Sequence, residues 1–210
     1  IDTVKDGFFE ESLALIKKVV DPEKIDYIVI QHTEPDHSGS VSALIKAAPN
    51  AKIYSTRAAA VNLPFIAGEK VEAAAVKDGD TLDLGGHTLK FIIAPNLHWP
   101  DTMFSYDGQA AALFTCDAFG SHFSAPEILA SKTDYDTADQ TRYYYDCIMS
   151  PFPSFVQKAV EKIRNLELKI DLILPSHGPV LDKNPGDVIG LYDSWSTPYG
   201  PGEKKTAFVG

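Results

Sequence analysis

Short β-branched apolar runs and longer segments with helical periodicity alternate along this chain of 210 residues. The apolar runs predict strands over residues 27–30, 51–54 and 171–174. Other runs are joined in pairs by glycine-containing turns, and these predict hairpins over residues 81–93 and 102–115. The pattern therefore predicts strands in the first, middle and last thirds of the chain.

Helical periodicity fills most of the segments between and beyond these runs. It predicts helices over residues 8–20, from about 40 to 48, from Thr56 onward, between 137 and 163 with a break at Pro151, and over 185–196. The order of strands, then helices, then strands again predicts an α/β (α+β) fold in which two sheets lie between helix layers.

The stretch from residue 32 to residue 37 packs four potential metal ligands into six positions directly after a predicted strand. They are His32, Glu34, Asp36 and His37, in a chain that has only 6 histidines. Pro35 disfavours helical backbone here, which predicts a loop. Because alternate side chains of an extended segment share a side, we expect His32, Glu34 and Asp36 to converge. That geometry favours a dinuclear metal site.

Three later strands also end beside a residue of ligand type. His98, Asp117 and His177 each come just after a predicted strand. The carboxyl ends of strands are where α/β sheets build their sites. Any one of these residues could be an ordinary solvated polar group, but the repetition at four strand ends indicates a convergent metal site.

The spaced set His-x-Glu-x-Asp-His over residues 32–37, followed by His98, Asp117 and His177, resembles the metallo-β-lactamase-like domain of the flavodiiron proteins. The flanking residues match too: Leu97-His98-Trp99-Pro100-Asp101-Thr102-Met103, Cys116-Asp117-Ala118-Phe119-Gly120 and Pro175-Ser176-His177-Gly178-Pro179. Zinc hydrolases of this superfamily typically carry histidine where this chain has Glu34. A hard, anionic oxygen ligand there shifts the preference of the site from zinc toward iron or manganese.

The resemblance implies a catalytic centre of two iron ions held by all seven residues. His32, Glu34 and His98 would bind one iron, and Asp36, His37 and His177 the other. Asp117 would bridge the two ions through its separate oxygens. Each iron would then keep the open position that a catalytic metal needs.

The resemblance also implies the domain organisation. Residues 1–196 would form a metallo-β-lactamase-like αββα sandwich that lacks the N-terminal strands preceding Ile1. Residues 197–210 would be a linker and the start of a truncated flavodoxin-like domain, with the first strand of that domain at 207–209. In the family, the flavodoxin-like domain binds FMN.

Family membership would make the protein an oxidoreductase that reduces dioxygen to water, nitric oxide to nitrous oxide, or both. Electrons would come from rubredoxin or a similar donor and would reach the irons through FMN. In the family the flavin beside one diiron site belongs to the other subunit, which implies a head-to-tail homodimer or a dimer of dimers. Trp99 would lie on the side that faces the FMN, or else pack in the core.

Charge and composition exclude several classes of binding partner and bear on the location of the protein. A net charge of −10 argues against nucleic acid or an anionic membrane surface as a partner. No apolar stretch is long enough to span a bilayer, and no signal peptide is present, which predicts a cytoplasmic protein. The two cysteines, Cys116 and Cys147, cannot form a disulfide scaffold, and both are expected to be reduced and buried.

Two other functions fit the residues. One is a zinc-dependent hydrolase of the same superfamily, against which Glu34 argues. The other is a non-catalytic diiron oxygen carrier or sensor, which would keep the same ligands without an efficient electron supply. Outside the seven ligands, His122 is either a hydrogen-bond donor near the substrate pocket or an ordinary loop histidine.

Overall fold

Two β-sheets face each other in the computed structural model, which describes residues 1–197. The first sheet holds three parallel strands in the order β1-β2-β3: Tyr27–Ile30 (β1), Lys52–Thr56 (β2) and Ala73–Val76 (β3). The second holds five strands in the order β4-β5-β6-β7-β8: Thr81–Asp83 (β4), Thr88–Ile93 (β5), Met103–Asp107 (β6), Ala112–Cys116 (β7) and Leu172–Pro175 (β8). Its neighbours pair antiparallel, except that β7 and β8 are parallel.

Helices cover the outer faces of both sheets. Their bounds are Phe9–Ile16 (α1), Pro35–Ser38 (α2), Val41–Ala47 (α3), Arg57–Ala67 (α4), Thr137–Tyr144 (α5), Pro153–Asn165 (α6) and Pro185–Ser196 (α7). A π-helical turn, Tyr145–Met149, extends α5. None of the helices among residues 1–197 is long and apolar enough to cross a membrane.

The buried side chains form three layers, and each strand that faces two layers alternates between them. Ile28 and Ile30 of β1 face outward to α3 and α4, whereas Val29 faces inward and packs near Phe91 of the second sheet. On the outer face of the second sheet, Ile92 packs with residues from α6 and α7. This alternation follows from the two-residue period of a strand. It confirms the predicted αββα sandwich.

The strand directions bring four strand ends to one region. Since β5 and β7 both run antiparallel to β6, they run in the same direction, and β8 is parallel to β7. The carboxyl ends of β5, β7 and β8 therefore lie along one edge of the second sheet. The segment after β1 meets this edge, because the Gln31 side chain donates to the Phe114 carbonyl and the Met103 amide donates to the Gln31 carbonyl.

Two local predictions are wrong. The first helix ends at Ile16 rather than at residue 20, and Val20 is exposed. The β-branched residues Val19 and Val20 and the following Pro22 disfavour continuation of this helix. The ligand stretch is also not a continuous loop, since α2 begins at Pro35 and contains the next three residues. Proline is well suited to the first helical position, where its missing amide is not needed.

Strand β3, Ala73–Val76, is a third difference, because the sequence pattern did not predict it. Alanine has low strand propensity, so this segment carries little local signal. It forms because the β2 edge is free to pair with it in parallel. The predicted linker and flavodoxin-like strand over residues 198–210 lie outside the described residues.

We expect the outer core of the first sheet to be sensitive to truncation. Leu63 of α4 is 0% exposed and packs with Val41 and Ile53. Leu63→Ala should lower the free energy of unfolding by about 2–5 kcal/mol, because it removes buried methyl groups and leaves a cavity. Val61→Ala in the same helix is the control, since Val61 is 62% exposed and the change should stay within about 0.5 kcal/mol. Denaturant unfolding at a fixed metal concentration measures both, and equal losses would show that α4 is not packed as described.

Candidate metal centre

Seven side chains meet where the strand ends converge, and they are the seven that the sequence indicated. His32 and Glu34 follow β1, His98 follows β5, and Asp117 directly follows β7. Their donor atoms form one group within 4.8 Å of one another. Asp36, His37 and His177 form a second group under the same limit. The two groups are the two ligand sets that the resemblance implies.

Asp117 lies between the two groups and turns one oxygen toward each. Its Oδ1 lies 3.0 Å from His37 Nε2 and 3.2 Å from His177 Nε2. Its Oδ2 lies 3.5 Å from His32 Nε2 and 3.6 Å from His98 Nε2. The carboxylate is buried and sits at the end of a central strand, which limits its rotation. Its placement suits a ligand that two ions share.

Glu34 completes the first group. Its Oε2 lies 3.0 Å from His98 Nε2 and 3.3 Å from His32 Nε2. This oxygen and the two imidazole nitrogens therefore lie around one position, as three ligands of a common ion do. Both Glu34 and His98 are partly exposed, so this side of the centre is open to solvent.

Asp36 belongs to the second group and not to the first, which corrects the expected convergence of His32, Glu34 and Asp36. The helical turn of α2 directs Asp36 away from Glu34, and its Oδ2 lies 3.2 Å from His177 Nε2. Its Oδ1 is buried and has no hydrogen-bond partner among the described residues. A buried carboxylate oxygen without a partner is costly, and a metal ion would satisfy it.

The donor set fits two ions of intermediate hardness. Four imidazoles and three carboxylates converge, and no thiolate is among them. This mixture suits iron or manganese, whereas structural zinc sites favour four ligands from cysteine and histidine. A third group, formed by Asp2, His37 and Cys116, is less suited to a metal. Burial raises the pKa of the Cys116 thiol well above its ordinary value, which disfavours the thiolate form that binds metals.

Hydrogen bonds among the side chains of the centre oppose the effect of burial on their pKa values. Burial raises the pKa of Asp117, but hydrogen bonds from His177 and His37 lower it by a larger amount. The net shift of this pKa is downward. Burial lowers the pKa of His37, but hydrogen bonds to Asp117 and Asp2 outweigh it, and the net shift is upward. A positively charged imidazolium must lose one proton before Nε2 can bind a metal, so metal binding here releases protons and strengthens as pH rises.

Two carboxylates that the sequence reasoning missed contact histidines of the centre at Nδ1, the ring nitrogen that faces away from Asp117. Asp101 Oδ1 lies 3.0 Å from His32 Nδ1, and Asp2 Oδ2 lies 3.2 Å from His37 Nδ1. Asp101 is part of the quoted stretch around His98, but its contact with His32 forms across the fold and is not visible in that stretch. Asp2 carries no local signal of this kind.

The remaining candidates lie around the centre. Trp99 packs its ring edge-on against His32, with ring centroids 5.0 Å apart, and is half-buried. His122 is exposed and packs against Tyr144, whose hydroxyl lies 3.5 Å from Asp117 Oδ1. Among residues 1–197, Tyr144 thus lies between His122 and the centre. Cys147 is exposed, so the expectation that both cysteines are buried holds for Cys116 alone.

Comparison with known proteins connects this geometry to a family. Residues 1–178 match a family model described as ODP family beta lactamase. The flavo-diiron protein FprA2 of Clostridium acetobutylicum is 44% identical over 187 residues, which cover 87% of this chain and 46% of that protein. A nitric oxide reductase of Moorella thermoacetica is 36% identical over 210 residues, which cover 99% of this chain and 53% of that protein.

A solved structure agrees with these relatives. The rubredoxin oxygen:oxidoreductase of the anaerobe Desulfovibrio gigas superposes with a TM-score of 0.89 at 32% sequence identity, covering 93% of this chain and 50% of that one. The chain thus spans about half the length of these three proteins. The match of the family model over most of the chain, together with these relatives, shows that the chain belongs to the flavodiiron protein family and forms its β-lactamase-like domain.

Proposed function

We propose that this chain holds the two irons with which an oxidoreductase reduces dioxygen to water, nitric oxide to nitrous oxide, or both. The observation that carries the proposal is Asp117, whose two oxygens face two separate ligand groups. A carboxylate placed in this way supports a pair of ions close enough to act on one small molecule. Residues 1–196, which end with α7, would form the metal-binding domain.

The seven residues would act both as ligands and as the catalytic groups. His32, Glu34 and His98 would hold one iron, and Asp36, His37 and His177 the other, with Asp117 shared. His32, His37 and Asp117 are buried and form the inner side of the centre. The other four residues are partly exposed, so a diatomic substrate would reach the irons from their side.

Once bound by these residues, the iron pair would supply electrons and open coordination positions for a diatomic molecule. Reduction of dioxygen to two waters consumes four electrons and four protons. Coupling of two nitric oxide molecules to nitrous oxide and one water consumes two of each. Both reactions need a continuing supply of electrons, which supports FMN as a cofactor and rubredoxin or a similar protein as the donor. The name of the Desulfovibrio gigas relative includes that donor.

An electron supply from outside the chain requires access to the open side of the centre. Trp99 is half-buried beside His32 and His98 and would form part of the surface that faces the flavin. We propose a head-to-tail homodimer, or a dimer of dimers, in the cytoplasm, in which the FMN of one subunit lies beside the irons of the other. Sedimentation analysis of the full-length protein tests the dimer, and a monomer at working concentration would contradict it.

The first test is metal content. We expect the protein, purified at full length and reconstituted anaerobically with ferrous iron, to bind two irons per chain, because seven donors converge in two groups. Elemental analysis measures this, and stopped-flow mixing of the reduced protein with dioxygen or nitric oxide then measures electron delivery. Two zinc ions per chain with no iron uptake would instead favour a zinc hydrolase. Two irons without repeated turnover in the presence of reduced donor would favour a carrier or sensor.

A further inference from the structure

Two of the four imidazoles at the centre differ from the others in their surroundings. His32 and His37 are 0% and 2% exposed, and both direct Nε2 toward Asp117. Their opposite nitrogens, Nδ1, each meet a carboxylate that is not among the seven ligands. His98 and His177 are partly exposed, and their Nδ1 atoms have no hydrogen-bond partner among residues 1–197.

Asp101 is the carboxylate behind His32. One oxygen lies 3.0 Å from His32 Nδ1, and the other accepts hydrogen bonds from the Thr33 amide, at 2.8 Å, and from the Thr33 hydroxyl. The backbone carbonyl of Asp101 accepts from the Thr56 hydroxyl at 3.0 Å. Asp101 is 1% exposed, so every contact of its carboxylate is made inside the protein. It connects the segment that carries His98 to the segment that carries His32.

Asp2 has the same relation to His37. One oxygen accepts from the Gln31 amide at 2.6 Å, and the other lies 3.2 Å from His37 Nδ1. The position of Asp2 is held by the backbone, since its own amide donates to the Val29 carbonyl at 2.7 Å. Each buried imidazole is therefore backed by a carboxylate whose other oxygen is already engaged by a backbone amide.

We propose that Asp101 and Asp2 are positioning residues that serve different metals: Asp101 acts through His32 on the first ion, and Asp2 acts through His37 on the second. This inference rests on the proposed two-metal centre. A carboxylate at Nδ1 keeps the proton of a neutral imidazole on that nitrogen and leaves the Nε2 lone pair free for a metal.

Replacement by asparagine changes this proton arrangement while preserving size. In Asp101→Asn the amide oxygen would stay with the two Thr33 donors, because turning the amide nitrogen toward them would oppose donor to donor. The amide nitrogen then faces His32 Nδ1 and makes that atom an acceptor. The proton of the neutral ring moves to Nε2, where it blocks the metal. Asp2→Asn repeats the argument with the Gln31 amide and His37.

The experiment measures each site in isolation. His177→Ala leaves the first ligand group intact, and His98→Ala leaves the second group intact. Cobalt(II) binding, measured by competition with a chelator, gives one dissociation constant in each background. We expect Asp101→Asn to weaken binding about 10–100-fold in the His177→Ala background and to leave the His98→Ala background unchanged. Asp2→Asn should show the reverse pattern.

Thr33→Val is the matched control. It removes the hydroxyl that donates to Asp101 but keeps the Thr33 amide and the contact between Asp101 and His32. If Asp101 only braced the ligand segment, Thr33→Val would weaken the first metal nearly as much as Asp101→Asn. We expect less than about a threefold change.

A second measurement does not depend on the single-site variants. Ring ¹⁵N shifts of the metal-free protein should show a proton on Nε2 and none on Nδ1 at His32 in Asp101→Asn, and the same at His37 in Asp2→Asn. Equal weakening of both metals by either variant, or unchanged affinity and tautomers, would overturn the inference. A parent protein that binds fewer than two cobalt ions would instead contradict the proposed function, and the two failures are thus distinguishable.

Discussion

Asp117→Ala should abolish stable metal binding at both positions of the centre. Both oxygens of this carboxylate face ligand nitrogens, at 3.0 and 3.2 Å on one side and 3.5 and 3.6 Å on the other. Losing a residue that only touches a ligand typically costs about 10–100-fold in metal affinity, so losing a shared direct ligand should cost more than that at each site. Inductively coupled plasma analysis after dialysis against a weak chelator measures the loss.

The matched variant is His98→Ala. His98 contacts only the first group, so its removal should weaken one ion and leave the second near full occupancy. A fully occupied site in Asp117→Ala would show that Asp117 is a terminal ligand of one ion. Two fully occupied sites would show that it is not a ligand.

Glu34→His should shift the preference of the first site from iron toward zinc. Glu34 supplies the one carboxylate of this group that the second group does not share, and its Oε2 lies 3.0 Å from His98 Nε2. Histidine replaces an anionic oxygen by a neutral nitrogen, which lowers the negative charge of the site and favours a four-coordinate zinc ion. The side chain is partly exposed, so an imidazole can be accommodated there.

Competition between equal concentrations of ferrous iron and zinc, under anaerobic conditions, measures this preference. We expect zinc to gain at least about tenfold over iron relative to the parent. Glu34→Gln removes the charge but keeps the length and an oxygen donor, so it separates the effect of charge from that of ligand type. An unchanged ratio in Glu34→His would mean that Glu34 does not determine metal choice.

The positions of the ligands could be predicted from sequence because each follows a strand with strong local signals. Tyr27–Ile30 and Ala112–Cys116 are β-branched or apolar runs, and the next polar residue of ligand type must lie at the strand end. The turn glycines fixed the hairpins in the same way. These strand ends lie at one edge because β5, β7 and β8 run in the same direction. The direction of a strand within a sheet cannot be read from the local sequence pattern.

The details that failed depend on contacts far apart in sequence. Ala73–Val76 is a strand only because β2 offers it a partner. The helical turn that separates Asp36 from Glu34 is a local exception, since Pro35 suits the first helical position. Asp2 and Asp101 lie 35 and 69 positions from the histidines that they contact. Periodicity and spacing describe neighbours along the chain, so a carboxylate recruited by the tertiary fold gives no signal of its own.

The proposed ligands come from both sheets, and this would link metal binding to the stability of the fold. Each group takes two residues from the segment after β1 and one that follows a strand of the second sheet, with Asp117 added from that sheet. Each ion would therefore act as a cross-link between the halves of the sandwich. For each site, every tenfold rise of the free metal concentration above the dissociation constant increases the free energy of unfolding by about 1.4 kcal/mol. Scarcity of iron would therefore shift the chain toward unfolding, so metal supply would set how much folded protein a cell keeps.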